Sequence, residues 1–184
     1  MTKKKKTIRL IILVAAMLIC VAGYFVVTNI DFEKGEEVTT ISLYEDITVE
    51  DVVAFSYDVD GEVYSYSLIN DVWYCDTELS KDLNQDTIAS MLAILTGYSS
   101  EKTYEVDKEA FADYGLEEPF KVINFETSDG VTHKLTVGDK NINSKYYACK
   151  DDESIVYTID ATVNVYFDYT LEDICVEEST AAAE

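Results

Sequence analysis

From Leu10 to Ile30 the chain carries no charged side chain, and this run follows Lys3-Lys4-Lys5-Lys6 and Arg9 directly. A helix of that length spans roughly 30 Å, one hydrocarbon core, and pairs its backbone groups within a single segment. The pattern predicts a transmembrane helix over 10–30, with the basic segment 1–9 on the cytoplasmic side and the remainder across the membrane. The lipid bilayer is then an expected partner through residues 10–30, and the expected location is a cell membrane, crossed once. A cleaved signal peptide has a shorter apolar region of about 7–15 residues. Val21-Ala22-Gly23 offers small residues for cleavage, but Tyr24-Phe25-Val26-Val27 continues the run past them. Cys20 would suit lipid attachment only behind small residues, and Met17-Leu18-Ile19 are bulky. An uncleaved signal-anchor is the reading the pattern favours.

Residues 31–50 are polar and read as a juxtamembrane stretch, with a strand at Thr39 to Tyr44. Beyond them, Val53, Phe55, Tyr57 and Val59 alternate with Ala54, Ser56 and Asp58, and Asp60-Gly61 marks a two-residue hairpin turn. Tyr64, Tyr66 and Leu68 continue the alternation, and Asn70-Asp71 turns the chain into Val72-Trp73-Tyr74-Cys75. Ile88, Met91, Leu92 and Leu95 then recur at helical spacing, with Asn84 as N-cap, Leu83 as staple and Gly97 at the left-handed stop. A short helix capped by Asp107 is expected to end at Gly115, and Pro119 prevents its continuation. Strands follow over Phe120 to Thr127, Val131 to Val137, Lys145 to Lys150 and Ser154 to Ile159, then a helix from Asp160. The expected fold is α+β: a transmembrane helix, then an antiparallel-sheet domain over 51–176 with two or three short helices, and a disordered tail over 177–184. The strand–hairpin–helix order occurs twice, as a degenerate duplication would leave it.

Charge narrows the partners. Residues 31–184 hold 9 basic and 36 acidic side chains. Such a surface repels phosphate backbones, which excludes nucleic acid, and it self-repels in a way that favours solubility. Among Cys75, Cys149 and Cys175 an oxidising compartment permits one disulfide, and nothing in the spacing selects it.

Candidate chemistry is sparse. His133 is the single histidine and shares a strand face with Val131, Leu135 and Val137, which favours a hydrogen-bonded structural role. Asp82-x-Asn84-x-Asp86 resembles the opening of a calcium loop, but Thr87 replaces the turn glycine and Ala93 the closing glutamate. No metal, cofactor or catalytic residue is expected. Trp73 reads as a core anchor, and Gly115 and Pro119 as a helix stop. Tyr146-Tyr147 points one ring to each side of its strand, so one of the pair is a candidate partner contact.

The order of these features resembles a known family. Asp71-Val72-Trp73-Tyr74, then the helix, then Tyr114-Gly115-Leu116-Glu117-Glu118-Pro119, Leu135-Thr136-Val137-Gly138-Asp139, Tyr146-Tyr147-Ala148 and Ile155-Val156-Tyr157-Thr158-Ile159 are similar to bacterial membrane-anchored domains catalogued only as a domain of unknown function. Members are often encoded beside gliding-motility-type auxiliary ABC transporters. The resemblance implies a non-enzymatic, extracytoplasmic binding or assembly module with an envelope or transporter protein as partner. A domain that binds cell-wall polymer or carbohydrate through exposed tyrosines is the alternative, and an envelope hydrolase is a third reading.

Overall fold

The computed structural model describes residues 40–176. The alternating segments form eight strands of one antiparallel sheet, and a two-strand ribbon lies outside it. In chain order the strands are β1 (Ile41–Ser42), β2 (Val52–Val59), β3 (Glu62–Ile69), β4 (Val72–Cys75), β5 (Ser99–Ser100), β6 (Thr103–Glu105), β7 (Lys121–Thr127), β8 (Thr132–Lys140), β9 (Tyr146–Lys150) and β10 (Ile155–Ile159). The sheet order is β4-β3-β2-β7-β8-β9-β10-β6, and β1 pairs with β5 in the ribbon. Two meanders therefore meet at the β2–β7 seam, where Phe55 lies directly opposite Phe125.

The hairpin turns form where the sequence places them. Asp60-Gly61 and Asn70-Asp71 both have positive φ at each central residue, the conformation whose twist matches flanking strands. Asp151-Asp152 does the same between β9 and β10.

The helical expectation needs correction. Among the described residues one helix has three turns, α1 (Gln85–Thr96); α2 (Val163–Tyr166) and α3 (Leu171–Ile174) are single turns, and Lys108–Tyr114 is a 3₁₀ segment. The described fold is mainly β rather than α+β, and only single helical turns follow the second strand group. The physical reason lies in Val163, Val165, Tyr166, Phe167 and Tyr169, β-branched or aromatic side chains that lose rotamer freedom in a helix. The transmembrane helix expected over 10–30, the segment 1–9 and the tail 177–184 lie outside the described residues. Among the described residues no helix is long and apolar enough to cross a membrane, so the membrane-spanning element of the expected fold has no support here.

α1 is capped as its sequence predicts: the Asn84 side chain accepts a hydrogen bond from the Thr87 amide at 3.1 Å. Gly97 is not left-handed; its φ is −85°, and its place is explained by Ala93 O, which an added β-carbon would meet at 2.7 Å. Ile88, Met91, Leu92 and Leu95 are buried against the sheet face that carries Phe55, Tyr57, Ile123 and Leu135. Leu43 and Tyr44, from the polar stretch before residue 51, are buried in the same core. A smaller core on the other face packs Leu116 against Cys149 and Val156.

Candidate functional site

The described residues form a cleft of about 660 Å³. One wall is the segment from Ile41 to Ile47. The others come from the β7–β8 turn (Thr127 to Val131), from His133 on β8, and from Lys150 and Asp151 where β9 turns into β10. Three local features hold these walls. Leu43 donates its amide to Tyr98 O at 2.9 Å and accepts the Lys150 ammonium on its carbonyl at 2.9 Å. Asp129 closes the β7–β8 turn by accepting from the Thr127 hydroxyl and the Val131 amide. Asp151 accepts the Lys134 amide at 2.7 Å, which fixes the β9–β10 turn against β8.

His133 lies on this cleft wall, half-buried. Its Nδ1 is 3.1 Å from Asp151 Oδ2, and its ring stacks on Phe125 with centroids 5.0 Å apart. Tyr44 packs edge-on against the same Phe125 at 5.0 Å, and its hydroxyl is buried without a hydrogen-bond partner. Burial, then the nearby carboxylate of Asp151, pushes the Tyr44 phenol far above its ordinary value.

The field in the cleft is negative. Glu45, Asp46, Asp51, Asp129 and Asp151 line it against two basic groups, His133 and Lys150. Both are already engaged, His133 by Asp151 and Lys150 by Leu43 O and by Glu153 at 3.8 Å. Hydrogen bonds from the Thr48 amide and hydroxyl hold Asp51 below the ordinary carboxylate range; the Thr127 hydroxyl and Val131 amide do so for Asp129. Glu45 and Asp46 are exposed at the rim.

Among the described residues the imidazole's hydrogen-bond partner is Asp151, with no hydroxyl or thiol in reach of a bond. Cys149 donates its thiol to Glu153 O at 3.1 Å, and burial followed by the Asp152 and Glu153 charges pushes it up to about 11. A reactive thiol needs the opposite shift. Cys75, Cys149 and Cys175 are all free. Among the described residues no group of three or more metal-ligating side chains converges.

The other residues singled out in the sequence lie elsewhere. Trp73 is buried edge-on against Phe55 at 5.3 Å. Its backbone amide donates to Gln85 Oε1, and its carbonyl accepts from Gln85 Nε2, so a side chain occupies the open edge of β4. Gly115 is left-handed at φ +69° and abuts Asp139, while Pro119 is half-buried just before β7. Tyr146 is buried and stacks on Phe120 at 5.5 Å. Tyr147 is half-buried and meets Tyr114 edge-on at 4.9 Å. The two rings do take opposite faces, but neither stands free. Every tyrosine among the described residues is buried or half-buried, so none forms an open stacking platform.

The profile of a domain of unknown function, DUF4340, matches residues 73–179. The chain belongs to this family. No curated protein and no solved structure gives a match. The DUF4340 match begins at Trp73, on β4, so β2 and β3 precede it although β2 supplies the strand beside β7. The cleft wall from Ile41 to Asp51 also precedes the DUF4340 match. Sequence reasoning placed His133 but missed this cleft. Its one sequence signal is the apolar pair Leu43-Tyr44 inside a polar stretch.

Proposed function

We propose that this chain is a non-enzymatic binding or assembly module of the cell envelope, working outside the cytoplasm and grasping a positively charged segment of a protein partner in the acidic cleft. The observation that carries this reading is the cleft itself: five carboxylates line it against two basic groups, of which His133 is hydrogen-bonded to Asp151 and Lys150 to the Leu43 carbonyl. A field of this sign attracts cations and speeds their encounter. The uncharged run 10–30 behind five basic residues supports attachment to a membrane, and the resemblance noted in the sequence supports a transporter subunit as the partner class. The polymer-binding alternative has less support, because no tyrosine among the described residues is fully exposed.

Gentle crosslinking of the full chain in native membranes, followed by detergent extraction, tests this. The expected result is one or a few membrane proteins with a basic extracytoplasmic segment, recovered at low salt and lost as salt rises. Recovery of the chain alone, or of partners indifferent to salt, would overturn it.

A further inference from the structure

The β8–β9 loop carries Ile142, whose side chain is fully exposed. The loop holding it is braced. Asn141 Oδ1 accepts the amides of Asn143 at 2.9 Å and Lys145 at 3.1 Å, and the Asn141 amide donates to Lys145 O at 2.8 Å. Ser144 completes the turn at φ +63°. A rigid turn that projects one large apolar side chain into water has met its ordering cost before any partner arrives.

At this loop lies a second cavity of about 390 Å³, lined by Ile142 itself together with Lys102, Tyr104, Lys145, Tyr147 and Thr158. A knob that forms one wall of a hole with aromatic sides leaves room for a second copy's knob against Tyr104 and Tyr147. A two-fold axis between them seats each copy's knob in the other's hole, which is the requirement of an isologous contact. Charge points the same way. With 36 acidic against 9 basic side chains beyond residue 30, most faces of this chain repel a second copy. Here Lys140 and Lys145 bracket the loop, and Lys102 and Glu101 line the hole. Both signs are present for reciprocal pairing, and Lys145 already reaches Glu101 at 3.2 Å within one copy.

We infer that the face formed by Ile142 and the Tyr104–Tyr147 cavity is where two copies of this chain meet. The contact is independent of the acidic cleft and stands or falls without it. A patch built on one knob is small beside the 1,200–2,000 Å² typical of stable interfaces, so the dimer is weak and depends on local concentration.

The test is a benzophenone side chain placed at position 142 in the full chain, irradiated in native membranes and in detergent. The expected product has twice the chain's mass, with the adduct mapped to Tyr104, Tyr147 or their neighbours in the second copy. A companion chain carries Ile142→Asp with the benzophenone at position 143; its melting temperature stays unchanged and its dimer adduct falls about tenfold or more. An adduct to a different protein or to lipid, no adduct, or a dimer that survives Ile142→Asp would overturn the inference.

Discussion

Gly115 and Gly138 sit back to back, with no space between them for a β-carbon on either. A methyl on Gly138 would collide with Tyr114 O and come within 2.9 Å of the Gly115 carbonyl carbon. One on Gly115 would meet the Asp139 amide nitrogen at 2.7 Å. The phrases Tyr114-Gly115-Leu116 and Val137-Gly138-Asp139 are thus the two sides of one backbone contact that docks the 3₁₀ segment onto β8. Gly138→Ala is expected to destabilise the domain by about 3 kcal/mol, since neither backbone can yield without unseating Leu116. Gly130, left-handed at φ +83° but in open space, is the control: Gly130→Ala should cost only about 1 kcal/mol. Thermal melts of the two variants decide it, and equal shifts would refute the close-approach argument.

The Gln85 amide stands in for a missing strand beside Trp73. Its loss in Gln85→Ala leaves a backbone amide and a carbonyl at the β4 edge without their partner. The expected cost is about 1–3 kcal/mol, with faster hydrogen exchange confined to the Trp73 amide and its neighbours. The same variant should aggregate more readily, because an open edge templates pairing. Unchanged exchange at Trp73 would mean the Gln85 contact contributes nothing.

Stability should fall at both ends of the pH scale, for opposite reasons. Burial pushes Tyr66 and Tyr157 up to about 12 and Tyr44, Tyr57 and Tyr98 higher. The unfolded chain gives up these protons first. The stabilisation is therefore whole below the ordinary value of 10.0 and is lost as pH rises through 12. Asp51, Asp129 and Asp173 are held below their ordinary 3.8 by hydrogen bonds from Thr48, Thr127 with Val131, and Thr170. Their contribution is present above 3.8 and disappears as pH drops through the lower folded values. Melting temperatures should form a plateau between about pH 5 and 9 with two falling limbs. Tyr157→Phe should soften the alkaline limb and Asp129→Asn the acidic one; a variant that moves the other limb would contradict the assignment.

Thiol accessibility gives an independent check on the packing. Cys175 is half-buried, whereas Cys75 and Cys149 are buried. Among these three, a maleimide under native conditions should label Cys175 first, with Cys149 labelled only on unfolding, as peptide mapping would show. Rapid labelling of Cys149 would contradict both its burial and its raised pKa.

The hairpins were legible because a two-residue turn with positive φ demands Asp-Gly or Asn-Asp, and the side-chain alternation on either side fixes the register. α1 was legible because its cap and its apolar stripe agree. The order of strands in the sheet was not, since the β2–β7 seam joins segments some 70 positions apart, and nothing local to Phe55 or Phe125 names its partner. The region after β10 misled because Val163 and Phe167 occupy helical spacing, while their β-branched and aromatic neighbours limit the helix to one turn. The cleft was illegible for a related reason. It joins residues 41–51 to turns near 129 and 151, and each part alone looks like an ordinary acidic loop. His133 is half-buried with its imidazole beside Asp151, and nothing in its strand position shows that this is also the wall of a cleft.

The central claim is that the acidic cleft grips a cationic partner. The direct measurement compares the wild-type full chain with Glu45→Lys/Asp46→Lys in quantitative crosslinking from native membranes. Both residues are exposed on the rim, in the turn that the Ile47 amide closes on Tyr44 O, and the turn is held by backbone atoms that the substitutions keep, so the melting temperature should hold while partner recovery falls at least tenfold. If the double variant stays folded and recovers the same partners at the same yield and salt dependence, the cleft is not the binding site.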